Sequence, residues 1–358
     1  MTKDFRNLGG GFLLVVISAF VGLLIVERLI IPLTLTKGVD RDIALMGYYA
    51  WPNTLVDDTK VNAQGFTGHE LPKKEGSFSN TRILTLGGST MFNRRMTERM
   101  IDAWDQVFPT APQVVGAALR THSTRASVTK YKYHFSKYRF EYVLIYHGIN
   151  DLWANNIEPA EFASDYSHLD PWGRRNFLLD NLMIARLVHN YLHPGMGHLT
   201  FPDAATNKAN FMADRTFENN LRTLVNSVRL ENGKPVLMTF AWHIPKNYTQ
   251  DLFLAGKLEY DNPNRYDYCP VELWGDVSYV EAGLTRYNSI IRNLAAELDV
   301  DLIDQFASLS SNPGNFGDPV HFSEAGTDRF IANITDYFKH EAGIKSQVPG
   351  STHANRLE

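Results

Sequence analysis

The chain has 358 residues, 39 acidic against 35 basic, and a formal net charge of -4. That length suits one large α/β domain with additions, the composition excludes wholesale disorder, and the lack of a basic footprint excludes nucleic acid as a partner. A single cysteine, Cys269, excludes an intramolecular disulfide and, with no catalytic pattern around it, reads as a small hydrophobe.

Residues 9–26 (GGGFLLVVISAFVGLLIV) carry no charge, and as a helix they would extend about 27 Å at roughly 1.5 Å per residue. That approaches the ~30 Å hydrocarbon core of a bilayer. No small-x-small cleavage site follows, so the expectation is an uncleaved membrane anchor over 1–36 containing a transmembrane helix. Lys3 and Arg6 favour a cytoplasmic N-terminus and an extracytoplasmic remainder, a single-pass arrangement against which Arg28, Lys37 and Arg41 pull. Residues 37–80 read as a connector, turn-rich at 62–68 and polar at 71–79.

Residues 83–91 (ILTLGGSTM) read as a buried strand broken by Gly87 and Gly88. Ser89 follows at the start of a helix, where it is either a presented nucleophile or a helix cap. A helix-spaced segment runs over 91–108, closed by Pro109 and Pro112. Further strands are expected at 113–119 (QVVGAAL), 142–147 (YVLIYH), 235–242 (PVLMTFAW) and 300–306 (VDLIDQF). Helices are expected between and after them, at 124–138, 217–229, 277–298 and 324–338. Alternating strands and helices imply a parallel sheet covered on both faces, with ligands at the carboxyl ends of its strands. Residues 152–215 fit no strand and read as a cap-like insertion beside the site, and 342–358 as a flexible tail.

Three pieces with chemistry fall at strand ends or late loops: Ser89, Gly148-Ile149-Asn150-Asp151, and Asp318-Pro319-Val320-His321. A serine alcohol needs a base to take its proton, and a histidine serves best when a carboxylate fixes its tautomer. Asp318 and His321 supply that pair. Asn150 offers a side-chain amide to an oxyanion, or is a turn residue, and Asp151 reads as a turn or capping acid.

These blocks resemble those of the SGNH hydrolases, the superfamily of GDSL esterases and lipases. Gly87-Gly88-Ser89-Thr90 is similar to its first block with glycine in place of the aspartate of GDS, Gly148–Asp151 to G-x-N-D, and Asp318–His321 to D-x-x-H. The likeness covers 81–341, the expected hydrolase domain. In the second block, Gly116 falls where the family commonly has Asn, and Ala118 where it has Gly. The resemblance implies a flavodoxin-like, three-layer αβα sandwich with a five-stranded parallel sheet. It further implies Ser89 as nucleophile, His321 as base, Asp318 as its partner, and an oxyanion hole from the N–H groups of Ser89 and Ala118 with Asn150. No cofactor is implied.

The expected activity is ester hydrolysis through an acyl-serine, on O-acylated carbohydrate or lipid. The alternatives are O-acyl transfer to an envelope polysaccharide and a non-catalytic carbohydrate-binding or assembly role. Trp153, Trp172 and Trp242 are candidates for stacking on sugar rings or for core packing. His189, His193 and His198 have a spacing that could bind zinc, but no HExxH glutamate accompanies them, and no metal is expected.

Overall fold

The computed structural model describes residues 18–19, 21–23, 25–26, 53, 55–56, 58–71, 80–105, 107–169, 211–263 and 268–343. The anchor expected over 1–36, the tail from 342, and residues 170–210 of the expected insertion fall wholly or almost wholly outside them. Among the described residues no helix is long and apolar enough to cross a membrane.

A short antiparallel hairpin comes first, β1 (Leu55–Val56) with β2 (Thr59–Lys60), and then β3 (Thr67–Gly68). The chain continues through β4 (Arg82–Gly87), helices α1 (Ser89–Phe92) and α2 (Met96–Trp104), β5 (Gln113–Gly116), α3 (Thr124–Lys130), β6 (Tyr142–Tyr146) and α4 (Ile149–Leu152). Beyond residue 210 follow α5 (Asp214–Leu230), β7 (Lys234–Met238), α6 (Gln250–Leu254), α7 (Val277–Leu298), β8 (Asp301–Ile303), α8 (Gln305–Leu309) and α9 (Glu324–Glu341).

The main sheet has the order β3-β5-β4-β6-β7-β8. All its neighbours pair in parallel except β3, which pairs antiparallel with β5. The expectation of five parallel strands is therefore corrected: the sheet is six-stranded and mixed. The added edge strand comes from the segment read as a connector, and at two residues it is too short to show any alternation of apolar side chains. Its Thr67 hydroxyl donates to the Gly116 carbonyl at 3.1 Å and lies 2.6 Å from that of Thr97.

That edge also explains why residue 116 is a glycine. A Cβ on Gly116 would lie 2.0 Å from Thr67 Oγ1 and 2.2 Å from Thr97 Oγ1. The two hydroxyls fill the space that a side chain would need.

Helices cover both faces. On one side α5 packs against α3 and α7, and on the other α9 packs against α2 and α8. Strand β4 is buried at all six residues, with Ile83, Leu84 and Leu86 fully inaccessible. Burying each such side chain stabilises the fold by roughly 1.5–3 kcal/mol. This two-sided burial is why the strand reads as a continuous apolar run.

The helix expected over 91–108 is broken. Arg94 and Arg95 take left-handed φ of 55° and 52° between α1 and α2. The helix expected over 124–138 narrows to α3 and continues as a π-helical turn over Tyr131–Phe135. Along the sheet, β4 lies between β5 on one side and β6 on the other. The carboxyl ends of β4 and β6 thus flank the point where strand order reverses, the place where open α/β sheets bind ligands.

Candidate active site

Strand β4 ends at Gly87, and Gly88 is the N-cap of α1 with no side-chain capping bond. Ser89 is the first helical residue, half-buried, so its hydroxyl is not used as a cap. Instead Ser89 Oγ lies 2.8 Å from His321 Nε2.

His321 sits in the loop that precedes α9, whose N-cap Ser323 accepts from the Gly326 N–H. The loop is closed on itself, since the Gly317 N–H donates to the His321 carbonyl at 2.8 Å. His321 Nδ1 lies 2.7 Å from Asp318 Oδ2. A carboxylate is acceptor only, so Nδ1 carries the hydrogen and Nε2 is left to accept from the Ser89 hydroxyl.

Asp318 is fully buried, and every acceptor direction is used. Oδ1 accepts from the N–H groups of Val320 (2.8 Å) and His321 (2.7 Å), and Oδ2 from the Cys269 N–H (2.9 Å) as well as from the imidazole. Burial opposes a charged imidazole at His321, but the Asp318 carboxylate outweighs it, with a contribution from the Cys269 side chain. The net effect holds His321 well above its ordinary value.

Among the described residues, Cys269, Asp318 and His321 are the one group of metal-ligand type, with donor atoms within 4.8 Å of one another. Both Asp318 oxygens are already engaged twice by N–H groups, so the set is built to orient an imidazole rather than to offer a carboxylate to a cation. The histidines whose spacing could bind zinc, His189, His193 and His198, lie outside the described residues.

Asn150 stands in the first turn of α4, after β6. Its Nδ2 donates to the His122 carbonyl at 3.0 Å and occupies the space beside Gly88, where a Cβ would lie only 2.5 Å from it. Asp151, the next residue, is buried and accepts from the Thr124 N–H at 3.1 Å and the Thr124 hydroxyl at 2.5 Å. It therefore caps α3, and burial pushes its carboxyl up to about 7 despite those bonds.

Ala118 is buried in the loop after β5. The N–H groups on either side of it, of Ala117 and Leu119, donate to the carbonyls of Thr85 (2.9 Å) and Gly87 (3.3 Å) at the end of β4. Its own N–H has no protein acceptor among the described residues, and the same holds for the N–H groups of Ser89 and Thr121.

The sequence did not single out the stretch that actually meets Asn150, residues 120–122. There Thr121 is exposed with φ of 63°. A β-branched residue in that region is strained, typically by 1–3 kcal/mol, and such strain gathers at functional sites. A positive φ on threonine leaves no signal in the sequence, so only the structure reveals it.

Of the aromatic candidates, Trp153 is buried, stacked on Trp274 with ring centroids 6.1 Å apart, and its Nε1 donates to the Leu273 carbonyl. It packs the core and is not free to stack on a sugar. Trp242 is half-buried against Phe306, and Trp172 lies outside the described residues. A hollow of about 460 Å³ lined by Thr81, Tyr142, Lys234 and Asp301 lies at the opposite, amino ends of the strands. Its lysine is paired with Asp301 and Glu341.

No family model matches the chain, and no curated protein matches it. Among solved structures it is similar to a GDSL-like lipase from Bacteroides thetaiotaomicron, at 12% identity over 73% of this chain and 89% of that one, with a TM-score of 0.40. A lipase/acylhydrolase from Enterococcus faecalis matches at 14% identity over 73% and 96%, with a TM-score of 0.42. An acetylxylan esterase from Geobacillus stearothermophilus matches at 14% identity over 73% and 94%, with a TM-score of 0.41. Similarity at that level lends no weight to any particular activity, which rests on the geometry above.

Proposed function

We propose that the chain is a serine ester hydrolase of the SGNH type, acting through an acyl-serine intermediate. The observation that carries this reading is the continuous chain of contacts Ser89 Oγ to His321 Nε2 at 2.8 Å and His321 Nδ1 to Asp318 Oδ2 at 2.7 Å. In it His321 takes the Ser89 proton as the oxygen attacks the ester carbonyl, and Asp318 fixes the tautomer and stabilises the imidazolium. The imidazolium then protonates the leaving alcohol. Water, deprotonated by the same imidazole, resolves the acyl-enzyme.

The tetrahedral oxyanion is received by the Ser89 N–H, the Asn150 amide, and a backbone N–H of the loop after β5. Ala118 is the donor expected from the sequence. The Thr121 N–H, beside the His122 that accepts from Asn150, is likewise unengaged among the described residues. The substrate class proposed is an O-acylated carbohydrate or a lipid ester, with residues 1–36 holding the domain at a membrane, on its extracytoplasmic side.

Hydrolysis of p-nitrophenyl esters of rising chain length by the purified protein tests the reading. Turnover that disappears in Ser89→Ala supports it, and turnover unchanged in that variant removes it. A sharp preference for acetyl would point to carbohydrate, and activity that climbs with chain length to lipid.

A further inference from the structure

We propose that Lys130 is a positioning residue for the oxyanion-binding loop: its buried Nζ ties Ala117 to His122 across the segment that carries the backbone donors. The role rests on the esterase reading above. Lys130 ends α3 and is fully buried. Its Nζ donates to the Ala117 carbonyl and lies 3.0 Å from His122 Nδ1. These partners stand at the two ends of a loop with no regular structure of its own.

Several other ties within that loop are long. Leu119 N to the Gly87 carbonyl, His122 N to the Leu119 carbonyl and Arg120 Nε to Asn93 Oδ1 are each 3.3 Å. A left-handed threonine persists only where its surroundings over-determine it, and the Lys130 clamp restrains the chain on both sides of Thr121.

One nitrogen thereby acts on the Ala118 donor and on the support of Asn150. The bond to the Ala117 carbonyl polarises the Ala117–Ala118 peptide, and a polarised peptide is the better donor through its N–H. The hold on the His122 ring fixes the residue whose carbonyl accepts from Asn150 Nδ2.

Packing does not account for a lysine here. Its partners are a carbonyl and an imidazole, not a carboxylate, and a methionine would fill similar volume without burying an amine. Burial lowers the ammonium to about 7, and in either protonation state Nζ has hydrogens to donate to Ala117. His122 remains neutral and able to accept, held well below its ordinary value first by burial and then by the adjacent Lys130.

The test is Lys130→Met in the full chain, assayed with p-nitrophenyl acetate beside the wild type and Ser89→Ala. The expected result is a fall in kcat of about 10²-fold, the size of losing one oxyanion donor, with KM within about twofold. Binding of a trifluoromethyl ketone, which mimics the tetrahedral intermediate, weakens in the same proportion, and the melting temperature does not fall. Lys130→Gln keeps one donor for Ala117 and loses about 10-fold; it also serves if Lys130→Met does not fold.

Ser89-dependent turnover in the wild type with kcat unchanged in the Lys130 variants overturns the role of Lys130 and leaves the esterase reading intact. Losses in kcat and KM that track a lowered melting temperature also overturn it, since they mark a structural role only. A wild type without Ser89-dependent turnover overturns the esterase reading, and the role of Lys130 falls with it.

Discussion

Asn150 Nδ2 fills the place beside Gly88 that a side chain would occupy, 2.5 Å from where a Cβ would stand. The amide is held there by the His122 carbonyl, one residue from the proposed nucleophile. Gly88 has φ of -99°, so a side chain is unwelcome for lack of space and not for backbone strain. Because the crowded atom is the tip of a side chain, Gly88→Ala can be relieved by moving Asn150. Stability should therefore change little, while the displaced donor lowers kcat by about 10-fold or more. Thermal melts and ester kinetics on the same preparation check this split.

Asn150→Ala removes the donor altogether. The expected fall in kcat is about 10²- to 10³-fold, with KM little changed, because the amide serves charge that develops only in the transition state. A rise in KM at constant kcat would instead make Asn150 a ground-state contact.

Asp318→Asn leaves the loop's shape but cannot accept from Nδ1–H and the backbone N–H groups in the same way, so the imidazole can adopt the wrong tautomer. In a serine triad this change typically costs about 10⁴-fold in kcat. Steady-state kinetics with p-nitrophenyl acetate measure it.

The pH dependence follows from His321. As base it must be neutral, and its pKa is held above the ordinary imidazole value of about 6.5. Activity should therefore rise with pH, with its half-rise above that value, and the half-rise of any residual activity should move down in Asp318→Asn. Stability runs the other way. A raised native pKa contributes stability that is fully present below the unfolded value and is lost as pH rises through the native one. The difference in melting temperature between wild type and His321→Gln should shrink over that window.

Much of this site was legible because each residue sits in a short block next to an element boundary: Ser89 behind a glycine pair, Asn150 behind Gly148, Asp318 and His321 ahead of a helix. The strands themselves could be anticipated because two-sided burial makes the middle of β4, β6 and β7 a run of mostly apolar residues. Strand β3 was not legible, since Thr67 and Gly68 pair through their backbone and carry no pattern. The break at Arg94 and Arg95 was hidden as well, because two arginines in left-handed geometry look like any exposed helical pair. Lys130 was invisible for the same reason: a lysine in the run TRASVTK reads as a solvated face, and only the fold buries it.

The most direct measurement is mass spectrometry of the protein after exposure to a fluorophosphonate. This reagent phosphonylates a serine only when a neighbouring base takes the hydroxyl proton and donors receive the developing oxyanion. A single adduct on the peptide containing Ser89, absent in Ser89→Ala and strongly slowed in His321→Ala, is the predicted result. A wild-type protein whose Ser89 stays unmodified while a standard serine esterase is labelled under the same conditions would contradict the account.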